Sequence, residues 1–242
     1  MVQSMRAFSY SIDAEVFRKY PGYVRGVLIA HGLANPPSPP ELIQLLRDAE
    51  TSVRGRLTVE GIAEAPRIRA WREAYRAFGA KPAEYRSSIE ALSRRALKGD
   101  PLPSFSALVD IGNIVSLRHL VPAGAHAIDV LRGDIALRPA TGSEEFVAFG
   151  SEKLEHPLPG EIVFVEGDTV LTRRWTWRQA KHTLVEPGTT AIVFNVDCLM
   201  PVMADEAAQA CGEAEELIAR FCGGRFRRAI LSASAPRVEL AG

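Results

Sequence analysis

Residues 105–138 read FSALVDIGNIVSLRHLVPAGAHAIDVLRGDIALR, and within this stretch the hydrophobic period changes. Phe105, Leu108, Val109 and Val115 recur at helical spacing, which predicts a helix from Phe105 to Leu120. Beyond Pro122 the pattern is that of strands, with Ile128 to Leu131 and Asp134 to Arg138 as the first two. Upstream, helical patterns dominate. A short apolar segment, Tyr23 to Ala30, precedes the proline-dense stretch Asn35 to Pro40, after which Ser38 and Glu41 form a capping-box spacing. Leu42, Leu45, Leu46, Ala49 and Val53 then follow at helical intervals. Pro66 opens a helix striped with Ile68, Trp71, Tyr75 and Phe78 and closed by Gly79, and a third helix spans about Ala83 to Lys98. Downstream, Glu161 to Glu166, Thr169 to Arg173 and Thr190 to Val196 read as strands, with Glu166-Gly167-Asp168 as a tight turn. A last amphipathic helix carries Met203, Ala207, Ala210, Ala214, Leu217 and Phe221. Helices first and strands second, without regular alternation, predict an α+β fold. The expected organisation is one domain over residues 1–242. It has a helical flank at about 41–99, a β-rich core at about 101–200, a helix at about 203–222 and a short basic tail.

Composition narrows the function classes. With 47% hydrophobic and 24% charged residues the chain has the balance of a folded domain, which excludes a disordered protein. The 29 lysines and arginines cancel the 29 aspartates and glutamates, so no global basic field exists and any RNA contact must come from a local patch. Cys198, Cys211 and Cys222 are too few for a disulfide scaffold or a four-ligand zinc site, and their odd count fits a reduced, cytoplasmic compartment. Met1 to Tyr20 lacks the basic and apolar regions of a secretion signal, and no window reaches the roughly 18 apolar residues of a membrane span. No phosphate loop, dinucleotide glycine fingerprint, serine elbow or paired-histidine zinc motif is present, so neither cofactor nor metal is expected.

Three features depart from a plain core. Asp110, Asn113 and Ser116 fall at intervals of three and make a polar stripe on an otherwise apolar helix, which interhelical hydrogen bonding alone would also explain. His126 lies nearby, at the start of the expected strand. In the second feature, Arg173-Arg174-Trp175-Thr176-Trp177-Arg178-Gln179, flat apolar rings stand beside planar cations. That combination stacks bases, grips phosphates or meets a carboxylate bidentately. Read as a strand, it puts Arg174, Thr176 and Arg178 on one face and the tryptophans on the other, equally compatible with a solvated edge strand. Third, residues 67–98 hold nine basic and three acidic residues, either a solvated helix face or a phosphate-binding flank containing Arg72, Arg76, Arg86, Arg94 and Arg95.

The stretch Leu102 to Asp129, with Val109-Asp110-Ile111-Gly112-Asn113 and His126-Ala127-Ile128-Asp129, resembles the editing and tRNA-binding module formed by the third and fourth domains of the phenylalanyl-tRNA synthetase beta chain. The likeness continues through Gly133 to Ala140 and Glu144-Glu145 toward Asp197. Freestanding members of this family are more similar still, sharing the Trp71 to Gly79 helix, Tyr85 to Ser88 and the Arg174 to Gln179 segment. Where the synthetase module has a glycine-rich stretch near a tyrosine-recognising glutamate, this chain has that bulky segment, so tyrosine proofreading does not carry over.

The resemblance implies a β-sandwich-like mixed-sheet core with peripheral helices, and hydrolysis of the ester between an amino acid and the terminal ribose of a mischarged tRNA. Such editing is needed because a pocket alone discriminates side chains by only roughly 10–200-fold per methylene. It further implies roles. His126 orients a water or the ribose hydroxyl, Arg174 or backbone donors stabilise the oxyanion, and Arg178 or Glu145 holds the polar ends of the amino acid. Trp175 and Trp177 stack on the terminal adenine. Asn113, Ser116, Asp129, Arg138 and Gln179 complete the expected substrate contacts. The expected partner is tRNA or aminoacyl-tRNA, without DNA or membrane, and the ATP-binding core of a complete ligase is missing. A non-catalytic RNA-binding module, or a binding protein for a free amino acid or small carboxylate, would fit the same segments.

Overall fold

The structure, a computed structural model, describes residues 8–241, so residues 1–7 and 242 of the expected single domain, and the start of the Met1 to Tyr20 stretch, lie outside the described residues. In chain order the first elements are β1 (Ser9–Ile12), α1 (Ala14–Lys19), β2 (Val24–His31), α2 (Pro40–Arg56), α3 (Pro66–Ala77), α4 (Ser88–Leu97) and α5 (Ala107–His119). Then come β3 (Ala123–Ala127), β4 (Ile135–Pro139), β5 (Phe146–Val147), β6 (Leu154–Glu155), β7 (Ile162–Glu166), β8 (Thr169–Arg173), β9 (Arg178–Gln179) and β10 (Ala191–Cys198). The chain closes with α6 (Ala204–Cys222), β11 (Arg225–Leu231) and β12 (Arg237–Glu239). Strands β12-β1-β4-β7-β8-β9 form a mixed sheet in which β1 and β4 are parallel. Strands β11-β2-β10-β3 form an antiparallel one, and β5 pairs with β6.

The two-residue period of strands sorts the core into layers. On β2, Leu28 and Ala30 pack with residues of α2, α5 and α6, while Val27 and Ile29 pack toward the other sheet. On β10, Ile192, Phe194 and Val196 take the helical side and Val193 the sheet side. Facing them are Tyr10, Ile12, Ile135, Leu137, Ile162, Phe164 and Leu171 of the mixed sheet. The fold is therefore α+β: two sheets enclose one core, and helices cover the outer face of the antiparallel sheet. A smaller cluster containing Phe146, Val163, Val165 and Val170 backs the mixed sheet. The same alternation carries polar residues inward. Arg25 lies directly opposite Asp197, Gly124 opposite Asn195 and Val193 opposite His126, all on the inter-sheet side.

Several local expectations need correction. The strand expected at Ile128 to Leu131 is instead Ala123–Ala127. This strand runs close under α5, where a Cβ on Gly112 would come 3.5 Å from the Gly124 Cα, so small residues rather than branched ones fit it. It ends because Asp129 accepts hydrogen bonds from the Thr190 and Ala191 backbones at the start of β10. Helix α5 begins at Ala107 and leaves Phe105 exposed, outside the apolar stripe. Pro39, not Ser38, occupies the N-cap of α2, and the Ser38 hydroxyl donates to Asp110 at 2.6 Å. Helix α4 starts later than expected, capped by the Ser87 side chain, which accepts from the Glu90 N–H. Strands also lie outside the expected β-rich core. Tyr23 to Ala30 supplies β2, in the interior of its sheet, and the basic tail forms β11, whose exposed arginines blunt a sheet edge and hide the strand period.

Two glycines at the helix–sheet contact differ in sign. A Cβ on Gly26 would meet Cys211 Sγ at 2.5 Å and the Ala207 carbonyl at 3.1 Å, so Gly26→Ala is expected to cost about 1–3 kcal/mol in urea unfolding. Gly112, within α5, meets nothing nearer than 3.5 Å, and Gly112→Ala should instead stabilise the protein by about 0.4–1 kcal/mol.

Candidate functional site

The inward-facing polar residues form the floor of a cavity of about 230 Å³ that opens to solvent. Arg25, Asn195 and Asp197 sit at its base, β3 from Ala123 to His126 makes one wall, and Phe164, Thr172 and the turn from Trp175 to Gln179 make the other. Ser88, the first residue of α4, reaches its rim.

The floor is one hydrogen-bonded unit. The Tyr23 hydroxyl donates to Asp197 Oδ1 at 2.5 Å, and the Arg25 guanidinium donates to the same oxygen through Nε (2.7 Å) and Nη2 (2.6 Å). Arg25 also donates to Tyr10 of the facing sheet, and Trp175 Nε1 donates to Asp197 Oδ1 at 3.2 Å. Burial pushes the phenols of Tyr10 and Tyr23 above their ordinary range and keeps both protonated. Burial also opposes the charge on Arg25, but the neighbouring Asp197 more than compensates, so Arg25 stays charged.

His126 is buried in the wall, edge-on to Phe164. Its Nδ1 lies 2.7 Å from Thr183 Oγ1 and 3.2 Å from the Gln179 amide nitrogen, which can only donate. We therefore assign Nδ1 as the acceptor and Nε2 as the protonated nitrogen, donating to Thr172 Oγ1 at 3.2 Å. That leaves the Thr172 O–H as a donor facing the cavity. Burial, reinforced by the Arg25 charge, pulls the imidazole pKa down to about 3, so the ring is neutral at physiological pH.

The Arg173 to Arg178 segment is a hairpin turn between β8 and β9, not a strand, so the expected two-faced alternation does not exist. Arg174 (φ 46°) and Trp175 (φ 63°) occupy the left-handed region, and the break in extended geometry reverses the side-chain directions. Glu161 fixes the turn by accepting from Arg173 Nε and Nη2, both at 2.9 Å, and from the Arg174 backbone at 3.1 Å. Trp175 is buried, packed edge-on against Tyr20, Tyr23 and Trp71, which removes it from base stacking. Trp177 lines the cavity. Arg174 does not line it. Its guanidinium lies between Tyr85 (3.6 Å) and Trp177 (4.5 Å), where it holds the two rings in place.

Of the expected residues, the cavity thus unites His126, Trp175, Trp177, Arg178 and Gln179. The others lie elsewhere. Ser116 closes the α5–β3 connection, exchanging hydrogen bonds with Ala123, and Asn113 lies one turn away on α5, outside the cavity lining. Asp129 caps β10, Arg138 binds Glu144, and Glu145 lines a separate cavity of about 790 Å³ beside Glu166 and His182. Arg72 and Arg94 bond buried Glu90 at 2.8 and 3.0 Å, with Arg86 at 3.9 Å. Arg76 and Arg95 are exposed, and Arg86, Arg94, Arg95 and Lys98 surround a hollow of about 420 Å³ along α4. Arg25, Asn195, Thr172 and the floor role of Asp197 were not among the residues expected from the sequence. Asn195 and Asp197 are polar residues two apart inside the apolar run of β10, and Arg25 interrupts that of β2, whereas Thr172 on β8 carried no such signal.

Comparisons with known proteins identify the family of the chain. Residues 70–234, about two thirds of the chain, match the B3/4 domain family, and the chain belongs to that family. A comparison with curated protein sequences finds no match. An N-terminal fragment of the phenylalanyl-tRNA synthetase beta-subunit from Pyrococcus horikoshii superposes with a TM-score of 0.48 at 13% identity. The match covers 90% of this chain and 50% of that one, so the chain spans about half the fragment's length. No helix among the described residues is long and apolar enough to cross a membrane, and no group of three or more metal-ligating side chains occurs among them. The three thiols are free and buried, and burial raises all of them.

The neutral state of His126 has a measurable consequence. Its folded pKa lies below the unfolded 6.5, so the unfolded chain binds the extra proton and stability falls as pH drops from 6.5 toward 3. Between pH 6.5 and 4.5, urea unfolding should lose stability with a slope approaching about 1.4 kcal/mol per unit from this group, and His126→Gln should remove that slope. Below 4.5, Glu144 contributes a separate acid loss: burial opposes its charge, but hydrogen bonds from the Thr141 backbone and Arg138 hold its pKa at about 2.

Proposed function

We propose that the chain is a trans-acting hydrolase that removes amino acids from mischarged tRNA. The observation that carries this reading is the oriented series Gln179–His126–Thr172, ending in a hydroxyl that faces an open, aromatic-walled cavity. Membership of the B3/4 domain family supports it at the coarser level of a synthetase-related module. Water adds to the ester carbonyl, the bond to the ribose oxygen breaks, and that oxygen takes the proton, giving a free amino acid and deacylated tRNA. In this scheme the neutral His126 ring does not act as a strong base. It aims the Thr172 O–H at the water or at the developing oxyanion, a contribution of position and polarity.

The cationic surface gives the RNA a path. Helix α4 begins at the rim with Ser88 and reaches Lys98 beside the arginine-lined hollow, ten residues or about 15 Å away at 1.5 Å per residue. A phosphate backbone lying along α4 would deliver its terminal ribose to the rim, with Trp177 offering a face to the terminal base and Arg178 a charge to the adjoining phosphate.

The test is release of label from a panel of cognate and mischarged aminoacyl-tRNAs. The wild type should hydrolyse a mischarged species selectively, Thr172→Val should lower the rate about 10²–10³-fold, and His126→Ala should do the same through Thr172. Arg174→Ala, which frees Trp177 without emptying the cavity floor, should raise KM more than it lowers kcat. If no species is hydrolysed above the rate without enzyme, the hydrolase reading fails and a non-hydrolysing receptor for a free amino acid takes its place.

A further inference from the structure

We propose that the cavity floor is an ammonium receptor, in which Asp197 Oδ2 and Asn195 Oδ1 bind the α-ammonium of the aminoacyl group; this rests on the reading that the cavity takes such a group. Asp197 uses its two oxygens unequally. Oδ1 accepts from Tyr23, Arg25 and Trp175, whereas no donor among the described residues reaches Oδ2. Asn195 stands two residues away on the same face of β10, 6% exposed, and its Oδ1 is buried without a hydrogen bond. Both residues line the cavity. A buried acceptor left unpaired is costly, so Asn195 Oδ1, beside the Asp197 carboxylate on the same face of one open cavity, marks a place built for a donor from outside.

The chemistry of that donor follows from its surroundings. A carboxylate would face Asp197, and it would find the Arg25 N–H groups already engaged by Tyr10, Tyr23 and Asp197. A hydroxyl supplies one hydrogen for two acceptors. An ammonium supplies three, and the rings of Phe164 and Trp177 on the walls favour a cation. Its charge is tolerated because Arg25 is matched by Asp197, His126 is neutral, and Arg178 lies exposed at the mouth. Seated there, the amino acid directs its carbonyl outward, toward Thr172 and the rim.

The experiment is calorimetry of the full chain with the twenty L-amino acid amides, which mimic the ester but are not cleaved, and with their N-acetyl derivatives. At least one amide should bind saturably, its N-acetyl form at least roughly tenfold more weakly, and Asn195→Leu should weaken the free-amine form comparably while circular dichroism stays unchanged. Asn195 is chosen because replacing Asp197 strands a buried Arg25 and risks unfolding. Equal binding of the acetylated form, indifference to Asn195→Leu in a folded variant, or no binding of any amide at millimolar concentration would overturn the proposal. No tRNA is present, so the result stands apart from the deacylation assay. Deacylation without amine discrimination would leave the hydrolase and remove the receptor.

Discussion

The Arg25–Asp197 pair is the constraint around which the rest is arranged. Two opposite charges face each other across adjacent strands, β2 and β10, with almost no exposure, in a layer otherwise filled by aliphatic and aromatic side chains. Desolvating two charges is expensive, and the cost is met only when the remaining donors and acceptors find partners. Here all but one do so by recruiting both sheets. Tyr10 comes from β1 of the mixed sheet, Tyr23 from the entry to β2, and Trp175 from the turn after β8. The pair therefore does more than fill space. It ties the two sheets together at the level where the cavity opens, and it leaves one carboxylate oxygen over.

The second constraint is the turn that supplies Trp175. Two consecutive non-glycine residues with positive φ cost of order 1–3 kcal/mol each and persist only where the surroundings over-determine them. Glu161 grips Arg173 in a bidentate pair and also takes the Arg174 N–H, while the Trp175 N–H donates to the Ile162 carbonyl. The result is a division of labour within four residues. Trp175 goes into the core, Arg174 goes back between two rings, and Trp177 is left on the cavity wall. A strand could not produce it, because alternation would send both tryptophans the same way.

That difference marks the limit of what was legible in the sequence. The helices with complete apolar stripes, α3 and α6, begin and end close to where the caps predict, because prolines and glycines fix their ends locally. Strand β8 matches its expected limits for the same kind of reason, a local period bounded by turns. His126 was singled out by its place at the start of an expected strand, but its neighbours were not legible, since Thr172 and Asn195 are placed by sheet register and Thr183 by the loop between β9 and β10. Asn113, Ser116 and Asp129 satisfy backbone joints or lie off the cavity, and nothing in local spacing separates such residues from ligand contacts. The edge strands β11 and β12 were hidden because exposed edges do not carry the alternation that reveals a strand.

A neutral chain can still carry a locally basic surface, and the surroundings of Glu90 show how. Glu90 is fully buried, and its Oε1 alone meets Arg72, Arg94 and, at longer range, Arg86. One negative charge thus organises three positive ones and leaves a surplus of two. Arg95 and Lys98 add to it on the exposed side of α4. Other charges are consumed in local pairs, such as Arg118 with Glu213 and Arg138 with Glu144. Potential at a surface depends on where charges are left unmatched, not on the sum over the chain. A zero net charge is therefore compatible with a basic track, and the one found here starts at the rim of the cavity.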